Sequence, residues 1–124
     1  MNDEQLINAI VRVVHESAIS GVKEDLLDGP SGRSPAAKLL KLHNWYSSLR
    51  EHDRDMVDQC IGQGVHAAVF GVLCVLDGVR VLEDGGGEFT LRYQNSEGVF
   101  PLNGDSDLHD IYQGSVFEEI FGDA

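Results

Sequence analysis

The chain has 124 residues, 42% of them hydrophobic, and carries 21 acidic against 9 basic residues for a formal net charge of −12. That size and apolar content suffice for one core and make a single domain over residues 1–124 the expectation. The charge excludes nucleic acid and anionic membranes as natural targets, since both would be repelled.

The N-terminal stretch "MNDEQLINAIVRVV" opens with acidic residues and has neither a basic n-region nor a small-residue cleavage site. No secretory signal is expected, and the location inferred is cytoplasmic. Leu6, Ile7, Ile10, Val13 and Val14 recur at helical spacing behind an N-cap at Asn2 or Asp3, which predicts a first amphipathic helix. From Ser20 to Ser34, "SGVKEDLLDGPSGRS" has the turn-former density of a loop, with Leu26-Leu27 dipping into the core. Ser34-Pro35 then reads as an N-cap and first helical position, followed by the stripe Leu39, Leu42, Trp45, Tyr46 and Leu49 of a second helix.

Ser48 and Glu51 have capping-box spacing and predict a third helix with apolar positions Met56, Val57, Cys60, Ile61, Val65, Ala68 and then Val72 or Val75. Running unbroken from Glu51 to Leu76 it would span roughly 39 Å, against an expected molecular diameter of about 35 Å. A break is therefore expected at Gly62–Gly64. Beyond it the helix is apolar all round and should be buried, with Gly64, Ala67, Ala68 and Gly71 admitting neighbouring backbones. Its uninterrupted apolar run, Ala67 to Leu76, falls short of the roughly 20 residues that cross a bilayer. Gly78 stands where a helix C-cap belongs. Cys60 and Cys74 lie roughly 21 Å apart along such a helix, too far for a disulfide, and read as core thiols in a reducing cytosol.

After Gly78 the period changes to two. "VRVLED", "EFTLRYQ" and "VFPL", separated by "GGG" and "QNSEG", predict a three-stranded antiparallel meander with Phe89, Leu91 and Tyr93 on one face. "DSDLHDIYQGSVFEEIF" should close the chain with a short helix capped at Asp105 or Ser106. The fold class expected is α+β: N-terminal helices including a buried central helix, a small antiparallel β-meander, and a short C-terminal helix.

No motif declares a chemistry. "GPSGRS" lacks the lysine and the preceding strand of a phosphate loop. Asp105, Asp107 and Asp110 alternate like calcium-loop ligands, but no glutamate stands at the twelfth position, so they read as helix-capping residues. Histidines 15, 43, 52, 66 and 109 show no metal-ligand spacing. His66 reads as a core or boundary residue and the others as helix-surface positions. Neither a metal nor a cofactor is expected. There is no G-x-S-x-G elbow and no cysteine set beside a base, so catalysis is not expected either. Were a catalytic or ligand pocket to assemble, Trp45, His66 and Asp77 would be its centre.

Charge is the remaining signal. Residues 1–60 hold ten acidic and seven basic residues, whereas 61–124 hold eleven acidic and two basic. Asp84, Glu88, Glu97, Asp105, Asp107 and Asp110 fall on expected turns or strand ends, where they could gather at one end of the sheet. Two readings stand: with Tyr93, Phe100 or Tyr112 as aromatic anchors they would steer and hold a basic protein partner, or they form a solvated face that serves solubility alone.

With "AVFGVLCVLDGVRVLED" at its centre, this small, acidic, cysteine-poor chain resembles bacterial immunity proteins of secreted or contact-dependent toxin systems. The resemblance implies stoichiometric neutralisation of a cognate toxin, often a basic nuclease, by masking its active surface. It assigns no individual residue a role.

Overall fold

The computed structural model describes residues 1–104 and 106–122. Its architecture is α+β, in the order α1 (Asp3–Ile10), a π-helical segment (Val11–Glu16), α2 (Ser17–Asp28), α3 (Ala37–Ser47), α4 (Glu51–Leu76), β1 (Leu91–Asn95), β2 (Gly98–Leu102) and α5 (Leu108–Phe121). A capping box starts α1: the Asn2 side chain accepts the Gln5 N–H at 2.8 Å, and the Gln5 side chain accepts the Asn2 N–H at 3.0 Å.

The π-helical segment re-phases this first rod. In a regular helix the residue seven beyond Ile7, Val14, would return to the same face. The wider turns shift the register by one, so His15 is buried in its place while Val13 and Val14 point outward, contrary to their expected core role. The expected loop at 20–34 is also corrected. Val22 to Leu27 are helix-compatible residues, and α2 runs on to Asp28, ending at Gly29 with φ 85°. Leu26 is buried as expected, but Leu27 is exposed. Nδ1–H of His43 donates to the Leu26 carbonyl at 2.7 Å, closing the α2–α3 turn.

Helix α3 begins two residues later than Ser34-Pro35 implies, with Ala36 as an N-cap lacking a side-chain bond. Its stripe buries Tyr46 and leaves Leu39, Leu42 and Trp45 largely exposed. The capping box at Ser48 and Glu51 does not form; Arg50 occupies the N-cap of α4. Arg54 instead stitches the two helices, donating to the Tyr46 carbonyl at 3.1 Å and the Ser47 carbonyl at 2.7 Å, which satisfies the last carbonyls of α3.

Helix α4 is unbroken over 26 residues, so the expected break at Gly62–Gly64 is absent. The length is usable because its first half serves α2 and α3 and its second half serves α5 and the π-helical segment. Gly62 acts by its size: a Cβ there would lie 3.2 Å from Ile120 of α5. The Gln63 amide donates to the Ile120 carbonyl at 2.9 Å beside it. Gly64, Ala67 and Ala68 are exposed and admit no neighbour. The burial of α4 is one-sided, through Gly62, His66, Leu73 and Cys74, while Val72 faces outward. Cys60 is exposed rather than a core thiol. By length and composition alone α4 would reach across a bilayer, as the core helices of soluble proteins also do.

The helix ends in a Schellman motif: Gly78 (φ 80°) donates to the Val75 carbonyl at 3.1 Å and Val79 to the Cys74 carbonyl at 2.9 Å. The expected first strand, "VRVLED", does not form. Val79, Val81 and Leu82 are all exposed, so its alternation has no face to bury. The meander thus reduces to a β1–β2 hairpin whose register pairs Leu91 with Leu102, Tyr93 with Phe100 and Asn95 with Gly98. Asn103, at φ 54°, ties the elements together: its backbone N–H donates to Asp3 at 3.0 Å and its side-chain amide donates to the Leu76 carbonyl at 2.9 Å. The principal core, Ile7, Leu73, Leu108, Tyr112 and Val116, lies between α1, α4 and α5.

Candidate functional site

Three histidines meet the inner face of α5. His15 is fully buried; its Nδ1 lies 2.6 Å from the Tyr112 hydroxyl and its Nε2 lies 3.0 Å from Oε2 of Glu119. Burial, and then the charge of Glu119, push the Tyr112 phenol up to about 12, so it keeps its proton. We assign the Tyr112 hydroxyl as donor to Nδ1 and Nε2–H as donor to Glu119. His66 stacks between Phe70 and Tyr112, at centroid distances of 5.4 and 5.6 Å, with its Nε2 buried and unpartnered. Burial, and then the charge of His15, hold its pKa below the ordinary histidine value. His66 is therefore a neutral aromatic core member, in the core as expected but without the satisfied ring expected of it, whereas His15 and His109 are buried rather than surface histidines.

His109 belongs to a second cluster, at the α4–α5 junction. Oδ2 of Asp77 accepts both the backbone N–H of His109 at 2.8 Å and its Nδ1 at 2.6 Å. The other ring nitrogen, Nε2, lies 3.4 Å from Asp110. Asp107 occupies the N-cap position of α5 but its side chain accepts no capping bond, so the carboxylate that caps this helix comes from the end of α4. Buried Cys74 sits close by, its thiol pushed up by burial, eased by Arg80, and raised further by Asp77, Asp110 and Asp107.

The outer face of α5 is a stripe of Asp110, Gly114, Phe117, Glu118 and Phe121 at helical spacing, all exposed. Phe117 is 46% and Phe121 41% exposed, with ring centroids 5.4 Å apart. A side chain at Gly114 would meet nothing within 4 Å. Residues 93–124 contain seven acidic residues and no lysine or arginine. Glu118 and Glu119 stand at the negative end of the α5 dipole with no basic residue in its last turn, an arrangement that costs helix stability.

The expected site residues are distributed as follows. Asp84 and Glu88 are exposed on the segment between α4 and β1, and Glu97 lies at the hairpin turn. Tyr93 is exposed on β1 opposite half-buried Phe100. Asp107 and Asp110 are exposed at the start of α5 and share the junction with Asp77; Asp105 lies outside the described residues. Tyr112 must be withdrawn as a surface anchor: it is fully buried, because the inward face of α5 runs Leu108, Tyr112, Val116. Phe117 and Phe121, which the sequence reading passed over, hold the outward position. Their i, i+4 spacing inside a segment without basic residues was the available signal.

Among the described residues, the two clefts that stand out bring no two of Trp45, His66 and Asp77 together. A cleft of about 410 Å³ is lined by Val75, Arg80, Leu82, Glu83, Glu88 and Phe89 among others. A second, of about 270 Å³, lies between Lys23, Asp58 and Glu118. None of the three expected residues lines either cleft. No protein-family model, curated protein or solved structure matches this chain.

Proposed function

We propose that the chain is a non-catalytic bacterial cytoplasmic protein that binds and inhibits a basic protein partner, in the manner of an immunity protein, and that the outer face of α5 is its docking surface. The observation that carries this reading is the exposed Phe117–Phe121 pair, on one stripe with Asp110 and Glu118 in a segment without lysine or arginine. Aromatic anchors surrounded by charge are the usual energetic centre of a protein interface. The carboxylates supply long-range attraction for a basic surface. Their position against the helix dipole is a local cost that docking of a cationic surface would offset. Asp84, Glu88 and Glu97 extend the acidic surface beyond α5 and contribute to steering, and exposed Tyr93 offers a further aromatic contact.

The test is co-expression with the product of the neighbouring open reading frame in a host that this product poisons. The wild-type chain restores growth, and Phe117→Asp combined with Glu118→Lys, which spares the edge-on contact of Phe121 with buried His66, does not. Equal rescue by the double variant would remove α5 as the docking surface, and a neighbouring product that is neither toxic nor basic would count against the inhibitor reading itself.

A further inference from the structure

We propose that Asp77, Asp107 and His109 form a binding site for a divalent transition-metal cation of the Zn²⁺ type at the junction between α4 and α5. One ligand atom from each residue lies within 4.8 Å of the others. Zinc bonds to oxygen or nitrogen are about 2.0–2.2 Å, so two ligands of a tetrahedral ion stand about 3.4 Å apart. Closing the set from 4.8 Å takes a movement of up to about 1.4 Å, within reach of a rotamer change of the exposed Asp107 side chain.

The independent observation is the state of Asp77. Its side chain is 1% exposed, yet only Oδ2 is used; Oδ1 is buried without a hydrogen-bond partner. A buried carboxylate oxygen with no partner carries a desolvation cost that a cation would cancel. The surroundings repeat the demand. Asp77, Asp107 and Asp110 surround a single imidazole, and among the described residues no lysine or arginine pairs with any of the three. Asp107 is free to serve because Asp77 has taken over the capping of α5.

The roles divide cleanly. Asp77 Oδ1, a carboxylate oxygen of Asp107 and Nδ1 of His109 ligate the ion, Asp77 Oδ2 keeps the His109 backbone N–H, and the neutral ring changes tautomer, its proton leaving Nδ1 for the metal and standing on Nε2 toward Asp110. Asp110, 3.4 Å from Nε2, then orients the ring from its far side, the outer carboxylate–histidine arrangement common to metal sites. One imidazole and two carboxylates select first-row divalent ions such as Zn²⁺ or Mn²⁺ over soft, thiolate-seeking ions, and the exposed Asp107 side leaves the remaining positions to water. Because one ion would join the end of α4 to the start of α5, binding should also raise the melting temperature.

The experiment titrates chelator-stripped full-length protein with Zn²⁺ by calorimetry and with Co²⁺ by visible absorption, every arm carrying Cys60→Ser so that the exposed thiol does not compete. The expected result is one equivalent bound, and an affinity loss of at least about tenfold in Asp107→Asn and in His109→Gln, with Glu97→Gln as wild type. Asp107→Asn alters an exposed side chain without a capping bond, so its loss would not reflect misfolding. Non-saturating binding, or the same affinity in Asp107→Asn and Glu97→Gln, would mean diffuse attraction to an acidic surface and would overturn the site.

Discussion

Asp77 and His109 join the end of one helix to the start of another through a single oxygen atom: Oδ2 of Asp77 takes the His109 backbone N–H at 2.8 Å and its Nδ1 at 2.6 Å. Asp77→Ala should therefore remove the cap of α5 and its tie to α4 together. The expected loss is about 2–4 kcal/mol in denaturant unfolding, against about 0.5 kcal/mol or less for Asp84→Ala on an exposed segment. Equal effects would show that the junction is not a structural link.

The Tyr112 hydroxyl satisfies a fully buried histidine nitrogen. Tyr112→Phe keeps the ring in the core and strips Nδ1 of His15 of its partner, so a loss of about 1–3 kcal/mol is expected. The raised pKa gives a second readout. The unfolded phenol ionises near pH 10 while the folded one holds its proton to about 12, so stability is complete below 10 and falls as pH rises through that window. Tyr112→Phe should reduce this alkaline slope, to which Tyr46 and Cys74, both also raised by burial, contribute in the same direction; an unchanged slope would assign it wholly to them.

His66 acts at the other end of the scale. Its folded pKa lies below the ordinary value near 6.5, so between the two values the unfolded chain binds the extra proton and the folded chain does not. Its contribution is fully present above about pH 6.5 and is lost as pH falls below it. Urea unfolding of His66→Phe, which can continue the stack with Phe70 and Tyr112, should show a smaller loss between pH 6.5 and 5 than wild type. Parallel pH profiles would contradict the assignment of a neutral core histidine.

Val72 and Leu73 are neighbours with opposite fates: Val72 is 61% exposed and Leu73 is 3% exposed in the core cluster. Leu73→Asp buries an unpaired charge and should abolish cooperative folding in so small a chain. Val72→Asp should change stability by no more than about 0.5 kcal/mol. A fully tolerated Leu73→Asp would displace the core from between α1, α4 and α5.

Element ends were legible where turn formers stood at them, as in the Gly78 terminus of α4 and the "QNSEG" turn of the hairpin, while the start of α4 and the face it buries were not. The pattern misled where a period had no partner: "VRVLED" alternates, but no neighbouring strand or apolar face receives it. The inward turn of His15 was hidden because a π-helical shift leaves no mark in hydrophobic spacing, and Val14 looked like the core residue. The Asp77–His109 junction joins residues 32 apart in sequence and was out of reach of any spacing rule. The α5 face was half legible, since its charge was plain but Tyr112 and Phe117 differ in burial only through the rotation of a helix packed on one side.

Docking of α5 on a basic partner is the central claim, and association kinetics test it most directly. Stopped-flow association of the chain with its purified partner should slow steeply between low salt and 0.5 M, with dissociation changing less, because exposed carboxylates steer the encounter. Glu118→Lys should slow association and weaken its salt dependence, while Phe117→Ala, which removes a half-exposed aromatic anchor, should mainly speed dissociation. Association that is flat with salt, together with dissociation unchanged in Phe117→Ala, would contradict the assignment of this face as the binding surface.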